Sequence, residues 1–83
     1  MEKRIGTISI VISDRSVAKS VNELISLYGE DILARYGLPL RDKGLNIINL
    51  VIEATTDEIN ALTGKLGRLP NVEVKTIVSK QKF

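Results

Sequence analysis

The sequence predicts an α+β fold in which four antiparallel strands form one sheet and two helices cover one face of it. Three observations support this prediction: four segments alternate apolar residues with a period of two, two segments repeat them at helical spacing, and turn residues separate the segments. The segments follow the order β-α-β-β-α-β. Since 83 residues suit a single domain, we expect residues 1–83 to form one.

The first strand and the first helix are predicted in the amino-terminal third of the chain. Residues 4–13 place isoleucine at every second position near their centre, which is typical of a strand with one buried face. Asp14 is a candidate N-cap, and apolar residues then recur at helical spacing as far as Tyr28. Gly29 is expected to end this helix in the left-handed conformation.

Two strands are predicted in the middle of the chain. A short strand is expected from residue 31 to residue 36, and a turn-rich connection with Gly37 and Pro39 should follow it. We interpret Arg41, with the two residues after it, as the polar tip of this connection. Residues 45–54 are the most apolar segment and predict the third strand, with large aliphatic residues on both faces.

The second helix and the last strand complete the pattern. Thr55 and Glu58 have the spacing of a capping box, in which each side chain binds the backbone of the other residue. The helix should end near Gly67 and Pro70, and residues 71–79 alternate again as a fourth strand. The whole order is that of the ferredoxin-like fold.

Composition excludes several classes of chemistry. The chain has no cysteine and no histidine, so it lacks disulfides, thiolate metal sites and the commonest general base. Its ten carboxylates are scattered, and we expect no metal site and no cofactor. A net charge of +2 is too weak for a nucleic-acid footprint, and no apolar run is long enough for a membrane span. Without a cleavable signal pattern, the expected location is the cytoplasm.

The sheet face opposite the helices carries more aliphatic surface than a monomer usually exposes. We therefore predict sheet-mediated self-association, as a dimer or a tetramer, because symmetric homo-oligomers are the commonest way to cover such a face. The predicted interface residues are Ile5, Val11, Leu45, Ile47, Val51 and Ile77.

The motifs of the chain argue against two other functions of this strand order. RNA recognition fails because aliphatic residues replace the stacking aromatics on the third strand. An acylphosphatase-like hydrolase would pair Arg15 with Asn46 or Asn49 as an anion clamp and a water-positioning amide. The chain lacks the glycine-rich first loop of those enzymes, and Asp14 places a carboxylate beside the supposed phosphate site.

The turn between the first strand and the first helix is the candidate ligand site, because regulatory domains of this fold hold small effectors there at a subunit boundary. The simpler interpretation is that the serines and Asp14 cap the helix, and that the arginine on the second strand is a solvated edge charge. The candidate ligand-binding residues are Ser13, Asp14, Arg15, Ser16 and Arg35.

Several segments of the chain together match the pattern of a known family. The matching positions are Tyr28, Gly29, Ile32, Arg35, Gly37, Leu38, Pro39, Arg41 and Gly44, with the ranges 45–51, 57–69 and 72–80. These segments resemble the family of proposed regulators of the iron-only hydrogenase system. The resemblance covers nearly the whole chain and implies an ACT-like ferredoxin fold, similar to the effector domain of nickel-responsive repressors, that assembles as dimers or tetramers.

Two departures from the nickel-responsive relatives limit what the resemblance implies. No ribbon-helix-helix segment stands before the first strand, so we expect no direct contact with nucleic acid. Without histidine or cysteine the chain cannot build a nickel site of their type. The expected function is a non-enzymatic oligomeric module that binds a small-molecule effector or a protein partner. The alternatives are a purely structural protein–protein interaction module and, less favoured, an acylphosphatase-like hydrolase.

Overall fold

The computed structural model describes residues 2–81, so Met1, Lys82 and Phe83 of the predicted domain lie outside this description. No helix within these residues is both long and apolar enough to cross a membrane. The elements are β1 (Lys3–Ile12), α1 (Ala18–Ser26), β2 (Ile32–Leu40), β3 (Leu45–Thr55), α2 (Thr56–Gly67) and β4 (Val72–Val78).

The four strands form one antiparallel sheet in the order β2-β3-β1-β4. The pairing of β1 with β3 runs from Lys3 opposite Thr55 to Ile12 opposite Asn46. With the helices following β1 and β3, this is the ferredoxin-like arrangement, and the predicted fold class is confirmed.

The hydrophobic core lies between the helices and one face of the sheet. The even-numbered residues of the two central strands supply its floor, and each helix contributes a buried apolar stripe. Gly6 permits the close approach of α2, because a Cβ at this position would lie 3.1 Å from Ile59 Cδ1. The buried residues are Ile8, Ile10, Ile12, Val17, Val21, Ile25, Ile48, Leu50, Ile52, Ala54, Ile59, Leu62 and Leu66.

The predicted capping box of α2 is present. The Thr55 hydroxyl oxygen accepts a hydrogen bond from the Glu58 backbone N–H at 3.2 Å, and Glu58 Oε1 accepts one from the Thr55 backbone N–H at 3.0 Å. The Thr55 hydroxyl also donates to Glu58 Oε1 at 2.9 Å. The two hydrogen bonds that Thr55 donates to the Glu58 carboxylate, chiefly the one from its backbone N–H, lower the pKa of Glu58. The box thus orders the first turn of α2.

The second strand is longer than its sequence pattern suggested. It extends over Ile32–Leu40, so Gly37 and Pro39 lie within the strand and the predicted turn there is wrong. Proline is tolerated because β2 is at the edge of the sheet, where its missing N–H need not bond to a neighbouring strand. A register shift between Ile32 and Ala34 marks a bulge near the start of the strand.

The predicted left-handed end of the first helix at Gly29 is also wrong. A 3-10 turn, Arg15–Val17, precedes α1; the helix ends at Ser26, and Gly29 begins a second 3-10 turn. Among residues 2–81, positive φ angles occur only at Gly44, 66°, and Asn71, 60°. Both lie in the turns that lead into β3 and β4, where the chain reverses direction.

Replacing Thr55 with alanine should lower the free energy of unfolding by about 1 kcal/mol, because it removes the N-cap acceptor of α2. Chemical denaturation monitored by circular dichroism measures this change. The matched control is Thr56→Ala, one position later and exposed, which should have a much smaller effect. Equal losses in the two variants would contradict a specific role for the capping box.

Candidate functional site

The turn that follows β1 is held together by its own hydrogen bonds. Asp14 Oδ1 accepts from the backbone N–H of Ser16 at 2.9 Å and from the Ser16 hydroxyl at 2.8 Å. Asn71 closes the turn from the β4 side, because its carbonyl accepts from the Ser13 N–H at 2.9 Å and from the Ser13 hydroxyl at 3.2 Å. Asp14 therefore caps the first turn and links it to the chain before β4.

The same contacts shift the titration of Asp14. The Ser16 hydroxyl, the Ser16 backbone N–H and the Asn71 side-chain amide hydrogen-bond to the carboxylate and lower the pKa of Asp14, against a smaller opposing effect of desolvation. Hydrogen bonds of this kind favour the ionised form, so Asp14 is a negatively charged cap at neutral pH.

A surface hollow of about 170 Å³, called here the first hollow, lies beside this turn. Arg15 reaches it from the 3-10 turn, while Arg41 and Asn46 reach it from the connection between β2 and β3 and from the start of β3. Gly44 makes this arrangement possible, since its left-handed backbone turns the chain directly from Arg41–Lys43 into β3. Pro39 and Leu45 complete the lining of the first hollow.

A second hollow, of about 260 Å³, adjoins the first between α1 and the edge strand. Arg35 of β2 donates a hydrogen bond across it to Asn22 Oδ1 of α1. Gly37 leaves space on this side of the strand, because a Cβ at this position would meet no atom within 4 Å. The lining residues are Ile12, Ala18, Asn22, Arg35, Gly37, Leu38, Pro39, Asn46, Ile47 and Ile48.

The two hollows share Pro39 and Asn46 and carry positive charge. Arg15, Arg35 and Arg41 are among their lining residues, and no Asp or Glu of residues 2–81 is among them. A hollow near the start of α2 has a mixed lining, which includes Arg4 together with Asp57 and Glu2. The pair of hollows beside β2 is therefore the better place for a negatively charged group.

The structure divides the predicted ligand residues into two groups. Ser13, Asp14 and Ser16 bond to one another or to Asn71. Arg15 lines the first hollow and Arg35 lines the second. Two further residues of the hollows, Arg41 and Asn46, were not among the predicted ligand-binding residues, although Asn46 was named in the hydrolase alternative. Residues 34–40 alternate in the sequence across Gly37 and Pro39. This alternation was the signal that could have identified Arg41 and Asn46 as residues of the site.

The opposite face of the sheet, called here the outer face, carries all six predicted interface residues. Five of them are half-buried, and Ile77 is 73% exposed. The pairing of β2 with β3 places four residues of β2 on the same face. They lie opposite Val51, Asn49, Ile47 and Leu45 of β3. The four are Ala34, Tyr36, Leu38 and Leu40, of which Tyr36 is 57% and Leu38 39% exposed.

The outer face has a large region without charge. Its positions within residues 5–11, 34–40 and 45–51 are all uncharged, and charged residues appear on β4 and at the far ends of the central strands. A short polar row crosses the middle, where the Ser9 hydroxyl donates to Asn49 Oδ1 at 2.6 Å. Aliphatic residues lie on both sides of this row.

Comparison with known proteins gives one family. The family model described as "Iron-only hydrogenase system regulator, putative", or TM1266-like, matches residues 4–76. The uncharacterized protein TM1266 of Thermotoga maritima is 45% identical, with a TM-score of 0.91, and the match covers 95% of this chain and 100% of that one. No curated protein gives a match.

More distant solved structures share the fold. The ACT domain of the GTP pyrophosphokinase of Chlorobium tepidum has a TM-score of 0.77 at 23% identity, covering 90% of this chain and 99% of that one. The carboxy-terminal domain of the MgtC protein of Mycobacterium tuberculosis has a TM-score of 0.72 at 12% identity, covering 93% and 88%. These likenesses confirm the predicted ACT-like fold.

The charge on Asp14 should make the fold sensitive to acid. Because the pKa of Asp14 lies below its ordinary value of 3.8 in the folded chain, ionised Asp14 stabilises the fold above the unfolded pKa. That stabilisation is lost as the pH falls through the folded pKa. We expect the Tm of Asp14→Asn, which keeps an N-capping side chain, to fall less steeply than the wild-type Tm between about pH 5 and about pH 2.

Thermal unfolding followed by circular dichroism across this pH range measures the two slopes. The matched control is Asp42→Asn, which removes an exposed carboxylate that pairs with the adjacent Lys43 at 3.6 Å on the surface. Such surface pairs contribute little, so this variant should retain the wild-type slope. Parallel slopes for the wild type and Asp14→Asn would contradict a stabilising role for the ionised cap.

Proposed function

Because the chain belongs to the TM1266-like family of iron-only hydrogenase system regulators, we propose that it is a non-enzymatic regulatory module of the cytoplasm. In this proposal it assembles as a homo-oligomer through the outer face and binds a small molecule in the hollows beside β2. Ligand binding would bias the assembly, since a ligand that favours one state shifts the population toward it. The output would pass to a protein partner rather than directly to nucleic acid.

The observation that carries the ligand-binding part is the pair of adjoining hollows between the turn after β1 and the edge strand. They combine arginine and asparagine side chains with apolar walls, which is the usual composition of a small-molecule site. Arg15 and Arg35, two of the residues predicted from the sequence, line these hollows. The remaining predicted residues shape the turn that presents Arg15.

The hydrogen bonds of the same turn favour binding over phosphoryl chemistry. Arg15 and Asn46 line one hollow, as an acylphosphatase-like pair would require, whereas Asn49 lies on the outer face. The N–H groups of Ser13, Ser16 and Val17, however, donate to Asn71 or Asp14. An oxyanion site needs free donors aimed at the developing charge, and here these donors are occupied by protein oxygens.

The outer face supports the oligomeric part of the proposal. Three neighbouring strands present uncharged residues there, with Tyr36, Leu38 and Ile77 among the most exposed large side chains. Exposed apolar surface on both sides of the Ser9–Asn49 row is typical of a protein–protein interface. A second copy is the simplest occupant, because a two-fold axis would cover the same surface on both protomers at once.

Native mass spectrometry of the untagged protein tests both parts of the proposal. We expect a dimer or a tetramer, with additional mass retained from a bound small molecule. An oligomer with no retained mass, and no increase in Tm across a panel of metabolites, would contradict ligand binding and favour a structural interaction module. A ligand at about 100 times its Kd should stabilise the fold by about 2.7 kcal/mol, which a thermal-shift assay detects easily.

Replacing Ile77 with aspartate should dissociate the oligomer, because burial of an unpaired carboxylate in an apolar interface is costly. Ile77 is 73% exposed within one chain, so the variant should fold. Ile47→Asp should have the same effect near the centre of the face. The matched control is Leu27→Asp, at a leucine that is 72% exposed just after α1, away from the sheet. If the folded Ile77→Asp and Ile47→Asp variants keep the oligomer mass of the wild type, assembly through the outer face is contradicted.

The hydrolase alternative has its own assay. We expect no hydrolysis of acetyl phosphate or benzoyl phosphate above the buffer rate, because the N–H groups of Ser13, Ser16 and Val17 are already bonded to protein oxygens. Arg15→Ala is the informative variant, since it removes the anion clamp that the alternative requires. Turnover by the wild type that disappears in Arg15→Ala would overturn the non-enzymatic proposal.

A further inference from the structure

We propose that the ligand of the two hollows is an organic anion with an aliphatic body. Its charged head, a phosphate or a carboxylate, lies between Arg15 and Arg41 in the first hollow, and its body lies in the second hollow against Ile12 and Ile48. This inference rests on the proposed function, since it specifies the ligand of the same site.

The state of the two guanidinium groups in the first hollow supports an anionic head. Neither Arg15 nor Arg41 has a side-chain hydrogen bond or ion pair with any of residues 2–81. The carboxylates nearest to them in the sequence are engaged elsewhere, because Asp14 binds Ser16 and Asn71, and Asp42 pairs with Lys43. Two unpaired arginines in one hollow attract an anion and can bind it with charge-assisted hydrogen bonds.

Asn46 adds a neutral partner for the same head group. It lines both hollows, at the point where they meet, and its side chain has no hydrogen bond with another described residue. A side-chain amide offers a donor to an anionic oxygen and an acceptor to a protonated one. Asn46 is thus placed to orient a ligand whose head lies in the first hollow and whose body extends into the second.

The second hollow supports an aliphatic body. Ile12, Pro39 and Ile48 are among its lining residues, and no aromatic residue of residues 2–81 lines it. A base or another flat ring would therefore find no stacking partner, whereas a short alkyl chain would bury apolar surface against the isoleucines. Arg35, bonded to Asn22, marks the polar end of this hollow.

Isothermal titration calorimetry with inorganic phosphate and hexyl phosphate tests the proposal. We expect hexyl phosphate to bind at least about tenfold more tightly than phosphate, because the alkyl chain adds apolar burial. Hexanol, which has the chain without the charge, should bind far more weakly than hexyl phosphate.

The arginine variants identify the site of the head group. Arg15→Ala and Arg41→Ala should each weaken hexyl phosphate binding by about tenfold or more, the size expected for a lost charge-assisted hydrogen bond. The matched control is Arg68→Ala at the end of α2, which makes the same change in net charge away from both hollows and should bind as the wild type does. Equal weakening in all three variants would show a general charge effect and overturn the site.

A substitution at Gly37 tests the place of the body. Gly37 has no positive φ, and a Cβ there points into open space, so Gly37→Val should fold and reduce the volume of the second hollow. This variant should weaken hexyl phosphate binding while leaving inorganic phosphate unaffected. Unchanged binding of hexyl phosphate would overturn the assignment of the body to this hollow.

The failure of this inference can be distinguished from the failure of the proposed function. A neutral or cationic molecule retained in native mass spectra, together with no binding of hexyl phosphate, would overturn the anionic ligand and leave ligand sensing intact. Binding of hexyl phosphate that is insensitive to both Arg15→Ala and Arg41→Ala would overturn the site itself.

Discussion

The pairing of β1 with its two neighbouring strands sets the two faces of the sheet and, through them, the positions of the core and the surface hollows. β1 bonds to β3 along one side and to β4 along the other, so its alternation fixes which residues of the whole sheet face the helices. Ile8 and Ile10 are fully buried beneath those helices, whereas Thr7 and Ser9 lie on the outer face. A slip of one residue would exchange the two sets, and the loss of buried aliphatic surface prevents it.

The edge strand β2 leaves space for the candidate site beside the helices. β2 pairs only with β3, and its residues toward the helices include Arg35, Gly37 and Pro39, which pack less densely than aliphatic residues would. The space between β2 and α1 is therefore left as the second hollow. Outward-facing residues of the same strand extend the outer face, so one strand contributes to both the proposed ligand site and the proposed assembly surface.

The turn after β1 shows how local hydrogen bonds restrict chemistry. Asp14 and Asn71 accept the N–H groups that a phosphate-cradling loop would leave free, and they leave the Arg15 side chain as the available positive group. A preorganised turn with one projecting arginine suits recognition of a ligand better than stabilisation of a transition state. The chain belongs to a family described as regulators of the iron-only hydrogenase system, and its neighbours among solved structures share the ACT-like fold.

The order of the elements, the buried face of the sheet and the capping box at Thr55 could all be predicted from the sequence, because each depends on residues close in the chain or on a fixed period. Sequence motifs also indicated the family, and Arg15 and Arg35 as candidate ligand residues. The continuation of β2 through Pro39 follows instead from the sheet topology, because a proline is acceptable in a strand once that strand is at an edge. The fold also places Arg15 in one hollow with Arg41 and Asn46, because the β2–β3 pairing brings together residues that are far apart in the chain.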